Sequence, residues 1–304
     1  MTTKAKRVAA AVLLLLIILI ASAGMYFIKN NTSQDKRISV TVSFYPLYDF
    51  TKNIGGNKVK ITNITPAGSE PHDFEPSARQ LANAYQSKLF IYNGATMESW
   101  VDNFLKDYKN TVVKSSNNIN LLKLADNNNL YDPHFWLDPV AASKIVDNIL
   151  AGLIKASPEN KSYFTQKANI YKDKLALLDE SFKNGLSKCQ TDTAITSHDA
   201  FSYTSKRYNI NLISISGVDP SVEPDAAKLA EISDLVKSKN IKYIFFESLV
   251  SPKLAETIAA ETGAKTAILD PIEGLSEENQ RKGDDYVKVQ QRNLKNLETA
   301  LECK

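Results

Sequence analysis

Chemistry in this chain is concentrated in three histidines, its whole supply of imidazole over 304 residues. His134 stands in Asp132-Pro133-His134-Phe135-Trp136-Leu137-Asp138-Pro139, where two Asp-Pro steps hold the backbone extended around the ring. His72 stands in Gly68-Ser69-Glu70-Pro71-His72-Asp73-Phe74-Glu75-Pro76-Ser77, and His198 in Thr193-Ala194-Ile195-Thr196-Ser197-His198-Asp199-Ala200-Phe201. All three read as residues of loops between a strand and a helix, with an acid or Pro close by. Asp270, after Thr266-Ala267-Ile268-Leu269 and before Pro271, shares that setting without being His. A lone loop histidine is usually just a surface or capping residue, and Asp270-Pro271 is equally a plain turn. Taken together they point to a shared metal ion. Three imidazoles and one carboxylate suit tetrahedral Zn²⁺ and can serve Mn²⁺ or Fe²⁺. Two would come from each half of the chain, placing the metal in a crevice outside the strand ends.

Nearby acids are candidates to support that site from behind. Asp73, Glu75 and Asp199 either orient imidazoles or cap helices. Glu247 ends the apolar run Tyr243-Ile244-Phe245-Phe246, a position that favours a structural role in the C-terminal half over contact with the site. A three-histidine site with an open position can activate water, so a zinc hydrolase is a competing reading. Against it, the chain has no H-E-x-x-H pattern, no acid is placed by motif as a general base, and a carboxylate ligand closes the coordination shell. The residues therefore favour a binding protein over an enzyme. A third reading is a surface adhesin that uses the metal only to hold its fold.

The elements that must position these residues alternate. Strand-like runs fall at Ile38–Phe44, Val59–Ile64, Leu89–Tyr92 and Val112–Lys114, then at Ala194–Thr196, Leu212–Ile215, Tyr243–Phe246 and Thr266–Leu269. Helical patterns lie at Leu47–Ile54, Ala78–Gln86, Met97–Asp107 and Val140–Ala156, and later at Ala200–Tyr208, Asp225–Ser238, Pro252–Thr262 and Gly283–Leu301. Alternation of this kind predicts an α/β fold of two lobes, each with a four-stranded parallel sheet flanked by helices. Between the sets, Pro158 to Asn184 carries Phe164, Ala168, Tyr171, Leu175, Leu178 and Phe182 at helical spacing, one continuous apolar stripe. One long rigid helix is expected to join the lobes. The expected boundaries are an N-terminal lobe over 38–156, the linking helix over 157–186 and a C-terminal lobe over 187–304.

Net charge is +3, and the excess lies in Lys4, Lys6 and Arg7, so nothing calls for nucleic acid. Val8 to Ile28 then carries no charge. Residues 1–30 read either as a signal peptide cut after Ala21-Ser22-Ala23 or as a retained membrane anchor, with a polar linker over 31–37. Either way the remainder is extracytoplasmic, in the periplasm or at the outer face of the cytoplasmic membrane. In that compartment Cys189 and Cys303 are expected to pair, the alternatives being two free thiols or a second metal site.

The chain resembles the metal-receptor subunits of bacterial zinc and manganese ABC importers, a family that includes metal-binding adhesin lipoproteins. Its carrying segments are Ser43-Phe44-Tyr45-Pro46-Leu47, the stretches around His72 and His134, His198-Asp199-Ala200-Phe201 with Tyr203 and Tyr208, Glu223-Pro224, Phe245-Phe246-Glu247, Leu269-Asp270-Pro271, and Tyr286 with Asn293-Leu294. The resemblance implies a monomeric receptor that holds a metal between its lobes on His72, His134, His198 and Asp270 and delivers it to a membrane permease. His at the third position goes with zinc in that family, so zinc is the expected cargo. Two departures stand out: Asn117 to Asn129 has no histidine where many zinc members carry a His-rich loop, and the usual lipid-bearing Cys is absent.

Overall fold

Short strands rich in Val, Ile, Phe and Thr build two sheets, and the alternation of strand with helix makes both parallel. A computed structural model describes residues 2, 4, 13–20, 35–124 and 129–304. The expected leader or anchor falls mostly outside the described residues, as do most of the linker and part of the Asn-rich stretch. Residues 13–20 are helical, and no helix among the described residues is long and apolar enough to cross a membrane. Residues 1–37 and 38–304 are separate units, and both sheets belong to the second.

The first sheet has β1 (Ile38–Val42), β2 (Val59–Asn63), β3 (Leu89–Tyr92) and β4 (Thr111–Lys114) in the order β2-β1-β3-β4. The second repeats it with β5 (Thr193–Thr196), β6 (Asn211–Ser214), β7 (Tyr243–Phe246) and β8 (Lys265–Ile268), ordered β6-β5-β7-β8. Strands covered on both faces show no polar alternation: β3 is Leu-Phe-Ile-Tyr, and all of β5, Thr-Ala-Ile-Thr, is buried. Edge strand β2 instead alternates exposed and covered positions, as a half-solvated strand should. Around the sheets pack α1 (Tyr45–Gly55), α2 (Ala78–Tyr85), α3 (Val101–Asp107), α4 (Pro139–Ala156), α5 (Lys161–Gly185), α6 (Ser202–Tyr208), α7 (Ala226–Ser238), α8 (Lys253–Thr262), α9 (Glu277–Arg281) and α10 (Tyr286–Ala300). Helix α4 starts as its sequence dictates: the Asp138 side chain accepts Val140 N–H and Pro139 takes the first turn.

Helix α5 is the link between the lobes, preceded by a 3₁₀ turn at Pro158–Asn160. Its buried residues are Phe164, Ala168, Tyr171, Leu175, Leu178, Asp179 and Phe182, the expected stripe with one acid added. Each large apolar member contributes about 1.5–3 kcal/mol by leaving water. The same core runs on without a break from Val40, Phe50 and Ile145 through α5 to Leu269, Ile272 and Tyr286. Two buried Tyr–Asp pairs add direction. Tyr171 of α5 donates to Asp49 of α1 at 2.9 Å, and Tyr208 of α6 donates to Asp179 of α5 at 3.0 Å. The link is thus fastened to each lobe by a hydrogen bond in a region where an unmade bond is costly. Cys189 and Cys303 are bridged across a separation of 114 residues, closing the second lobe on itself. In the chain-entropy model such a loop is worth roughly 4–5 kcal/mol.

Asp49 is a costly fastener. Burial pushes its carboxyl up to about 6, against the lowering effect of the Tyr171 hydroxyl. A carboxyl whose folded value is raised binds its proton more firmly when folded, so it destabilises the fold above that value and ceases to do so as pH falls toward 4. Asp49→Asn keeps an oxygen for Tyr171 and removes the buried charge. Thermal unfolding should show the variant about 1–3 kcal/mol more stable at pH 8, with the gap roughly halved at pH 5 and closed near pH 4. A gap that widens on acidification would contradict this assignment.

Candidate metal centre

His72, His134 and His198 all sit on loops leaving the carboxyl ends of strands: β2 for His72, β4 for His134, β5 for His198. The fold brings their Nε2 atoms together. His72 Nε2 lies 3.1 Å from His134 Nε2, and His198 Nε2 lies 3.3 Å from His134 Nε2. A single carboxylate oxygen meets all three: Glu273 Oε1 is 3.2 Å from His72, 3.0 Å from His134 and 3.3 Å from His198. In a regular tetrahedron, edges of this length would put the centre about 1.8–2.0 Å from each corner, near the Zn–N and Zn–O lengths of about 2.0–2.2 Å. The donor set and its spacing fit zinc.

The fourth member corrects an expectation. Asp270 does not join the three imidazoles; Glu273, three residues on, does. Asp270 spends both carboxylate oxygens locally: Oδ1 accepts Ile272 N–H at 2.7 Å and Oδ2 accepts the Ser248 hydroxyl at 2.6 Å. An Asp side chain is short enough to fold back on the amide two residues ahead, and Pro271 favours that turn. Glu273 lay in the plain stretch Ile272-Glu273-Gly274. Its one signal was the glycine behind it: a Cβ at Gly274 would lie 3.0 Å from Leu249 and 3.6 Å from the Ser69 carbonyl of the His72 loop. The tight neighbour there is the Leu249 side chain, while the Ser69 carbonyl would be in ordinary contact.

The buried histidines are each held from behind by an acid. His134 Nδ1 donates to Asp132 Oδ1 at 2.8 Å, and the same oxygen accepts His134 N–H at 2.9 Å. His198 Nδ1 donates to Glu247 Oε1 at 2.6 Å. With Nδ1 committed as a donor, Nε2 of the neutral ring presents its lone pair inward. Glu247 therefore supports the site from the end of β7, contrary to the purely structural role its apolar run favoured. Asp132 was missed because Asp-Pro reads first as a turn. The remaining candidates stand elsewhere: Asp73 is exposed, Glu75 accepts the Ser99 hydroxyl, and Asp199 accepts the Ser202 hydroxyl at the start of α6. His72 has the most open position, with 8% of its side chain exposed against none for His134 and His198.

Electrostatics reflect this crowding. Burial works to lower His134, but Asp132 and Glu273 outweigh it and push the imidazole up to about 9. His198 is likewise raised, burial being overcome by Glu247 and Glu273. Burial would raise Glu273, yet the neighbouring imidazoles hold it well below the usual carboxylate range. The metal-free centre is a nest of imidazolium and carboxylate.

Contacts across the lobes fix the geometry. Trp136 Nε1, two residues past His134, donates to Pro271 O at 2.8 Å, and Tyr286 returns a bond to Trp136 O at 2.5 Å. Tyr203 of α6 donates to Asp132 O at 2.8 Å and accepts Leu122 N–H at 2.9 Å. Arg207 of α6 forks onto both oxygens of Asp138. Each of these ties a loop bearing or flanking a converging side chain of one lobe to the other lobe.

Known proteins carry the same organisation. The family model for ZnuA, the periplasmic component A of the zinc-uptake complex, matches residues 40–300. The zinc-binding lipoprotein AdcA of Streptococcus pneumoniae is 35% identical over 283 residues, covering 88% of this chain and 56% of that protein, so the chain spans little more than half its length. The high-affinity zinc uptake system protein ZnuA of Bacillus subtilis is 37% identical over 284 residues, 88% of this chain and 89% of that one. The crystal structure of the Zn(II)-bound ZnuA-like domain of S. pneumoniae AdcA has a TM-score of 0.79 at 36% identity, covering 88% of this chain and 99% of that domain. The laminin-binding protein Lmb of Streptococcus agalactiae, described as bifunctional with adhesin and metal-transporting activity, has a TM-score of 0.80 at 36% identity, covering 87% and 99%. The family match spans both sheets, the linking helix and all four converging side chains, and the chain belongs to the ZnuA family of periplasmic zinc-uptake components.

Proposed function

We propose that this chain is an extracytoplasmic receptor that captures Zn²⁺ between its lobes and hands it to the membrane permease of an ABC importer. One observation carries the reading: three Nε2 atoms and Glu273 Oε1 converge at 3.0–3.3 Å from both halves of the fold. His72, His134, His198 and Glu273 are the ligands, with Asp132 and Glu247 setting ring orientation. Four donors complete a tetrahedral shell and leave no position for an attacking water, which favours carriage over hydrolysis. The ion is cargo, so it must come off and leave a folded protein behind. Chelator titration of the zinc-loaded protein tests this: reversible 1:1 binding with unchanged far-ultraviolet circular dichroism is expected. Unfolding on chelation would support a structural metal instead.

Zinc and protons compete for the same nitrogens. His134 at about 9 and His198, raised in the same direction, hold protons at neutral pH in the metal-free centre. For a raised histidine, the stabilising contribution to the metal-free fold is complete below about 6.5 and is lost as pH rises through the folded value. Zinc requires neutral rings, so its own contribution grows over that interval. The rise in melting temperature caused by zinc should therefore be larger at pH 8.5 than at pH 6, and capture near pH 7 should release close to two protons per ion, read by calorimetry in buffers of different ionisation enthalpy. Equal stabilisation at both pH values, with no proton release, would refute the exchange.

His198 is expected to set metal preference. His198→Glu leaves two nitrogens and two carboxylates, a harder set that also loses the match to Glu247. Zinc affinity should drop on the order of tenfold to a hundredfold, with Mn²⁺ losing less or gaining. The ratio of the two dissociation constants in one chelator-buffered assay is decisive: no change in that ratio would remove His198 from the ligand set.

A further inference from the structure

Ile272 is out of place by ordinary backbone rules. Its φ is +59°, a left-handed conformation that glycine and asparagine adopt readily and a β-branched residue does not. Its side chain is wholly buried, and the next residue is Glu273. Something must over-determine that conformation, since strain of this kind persists only where surrounding contacts impose it.

Those contacts are all present. Asp270 Oδ1 accepts Ile272 N–H at 2.7 Å, and the Ser248 hydroxyl fixes the carboxylate by donating to Oδ2 at 2.6 Å. Asn293 of α10 straps the same residue from both sides, its Oδ1 accepting Asp270 N–H at 2.9 Å and its Nδ2 donating to Asp270 O at 2.7 Å. Trp136 holds Pro271 O from the opposite lobe. We infer that Asp270 is a positioning residue for the metal: by capturing Ile272 N–H it keeps Ile272 left-handed, and that turn aims Glu273 at the three imidazoles. An extended or right-handed Ile272 would swing the Glu273 side chain out of the cluster. The inference rests on the four-ligand reading above and gives a function to a buried carboxylate that binds no metal itself.

A double-mutant cycle with zinc and Co²⁺ tests it. Asp270→Ala should weaken zinc binding on the order of tenfold to a hundredfold, and Asp270→Ala with Glu273→Ala should bind no more weakly than Glu273→Ala alone. Asp270→Asn, which keeps an acceptor for Ile272 N–H, should recover most of the affinity. The Co²⁺ absorption spectrum supplies a readout that a merely structural defect would not move: Asp270→Ala should shift it toward that of Glu273→Ala. If Asp270→Ala does not fold, Ser248→Ala serves, with a smaller loss that again disappears in the Glu273→Ala background. Wild-type zinc affinity in Glu273→Ala would overturn the ligand reading itself. Additive losses, or an unshifted Co²⁺ spectrum in a folded variant, would overturn only the positioning role.

Discussion

Three imidazole nitrogens gathered around one carboxylate oxygen at 3.0–3.3 Å in a buried crevice repel one another unless positive charge lies among them. The rest of the molecule answers to that constraint. Neither lobe can build the arrangement, because each supplies two of the donors. The lobes must therefore meet at fixed separation, and the continuous core through α5, the Trp136–Pro271 bond and the Arg207–Asp138 fork are the means. A freely bending link would leave the donors scattered and the cavity wet.

Two protons and one zinc dication carry the same charge. Without metal, the raised His134 and His198 hold protons beside the Glu273 carboxylate. With zinc, a single dication takes over the same two units. For the receptor proposed above, the field felt by the surrounding protein would then change little between the loaded and empty states. Selectivity then resides in geometry and donor softness rather than in net attraction, since any divalent ion would satisfy the charge.

Much of this was legible in the sequence. Strand and helix runs reported themselves through Val, Ile and Phe at the right period, and the α5 stripe from Phe164 to Phe182 emerged residue for residue, because both patterns are local consequences of burial. Three histidines in look-alike loops gave most of the site. The hidden part depends on the path of the backbone. Glu273 was one acid among many until Ile272 adopted its left-handed turn, while Asp270 looked the better ligand because the Asp-Pro step imitated the histidine loops. Helix α9 carries too few apolar residues to announce itself. Glu247 became the partner of His198 only once β5 and β7 had brought their ends together, whereas Asp132 meets His134 within one loop.

The bridge between Cys189 and Cys303 has a mechanical consequence. Pulled by its two ends, the chain could release the first lobe and the linking helix, but the span of 114 residues between the cysteines would stay shut. At about 3.3–3.6 Å per residue, roughly 400 Å of contour would never appear in the extension trace. Force entering at the last residue bypasses the strands of the second lobe and arrives directly at the foot of α5. The lobe that carries His198 and Glu273 is, against tension, a closed ring.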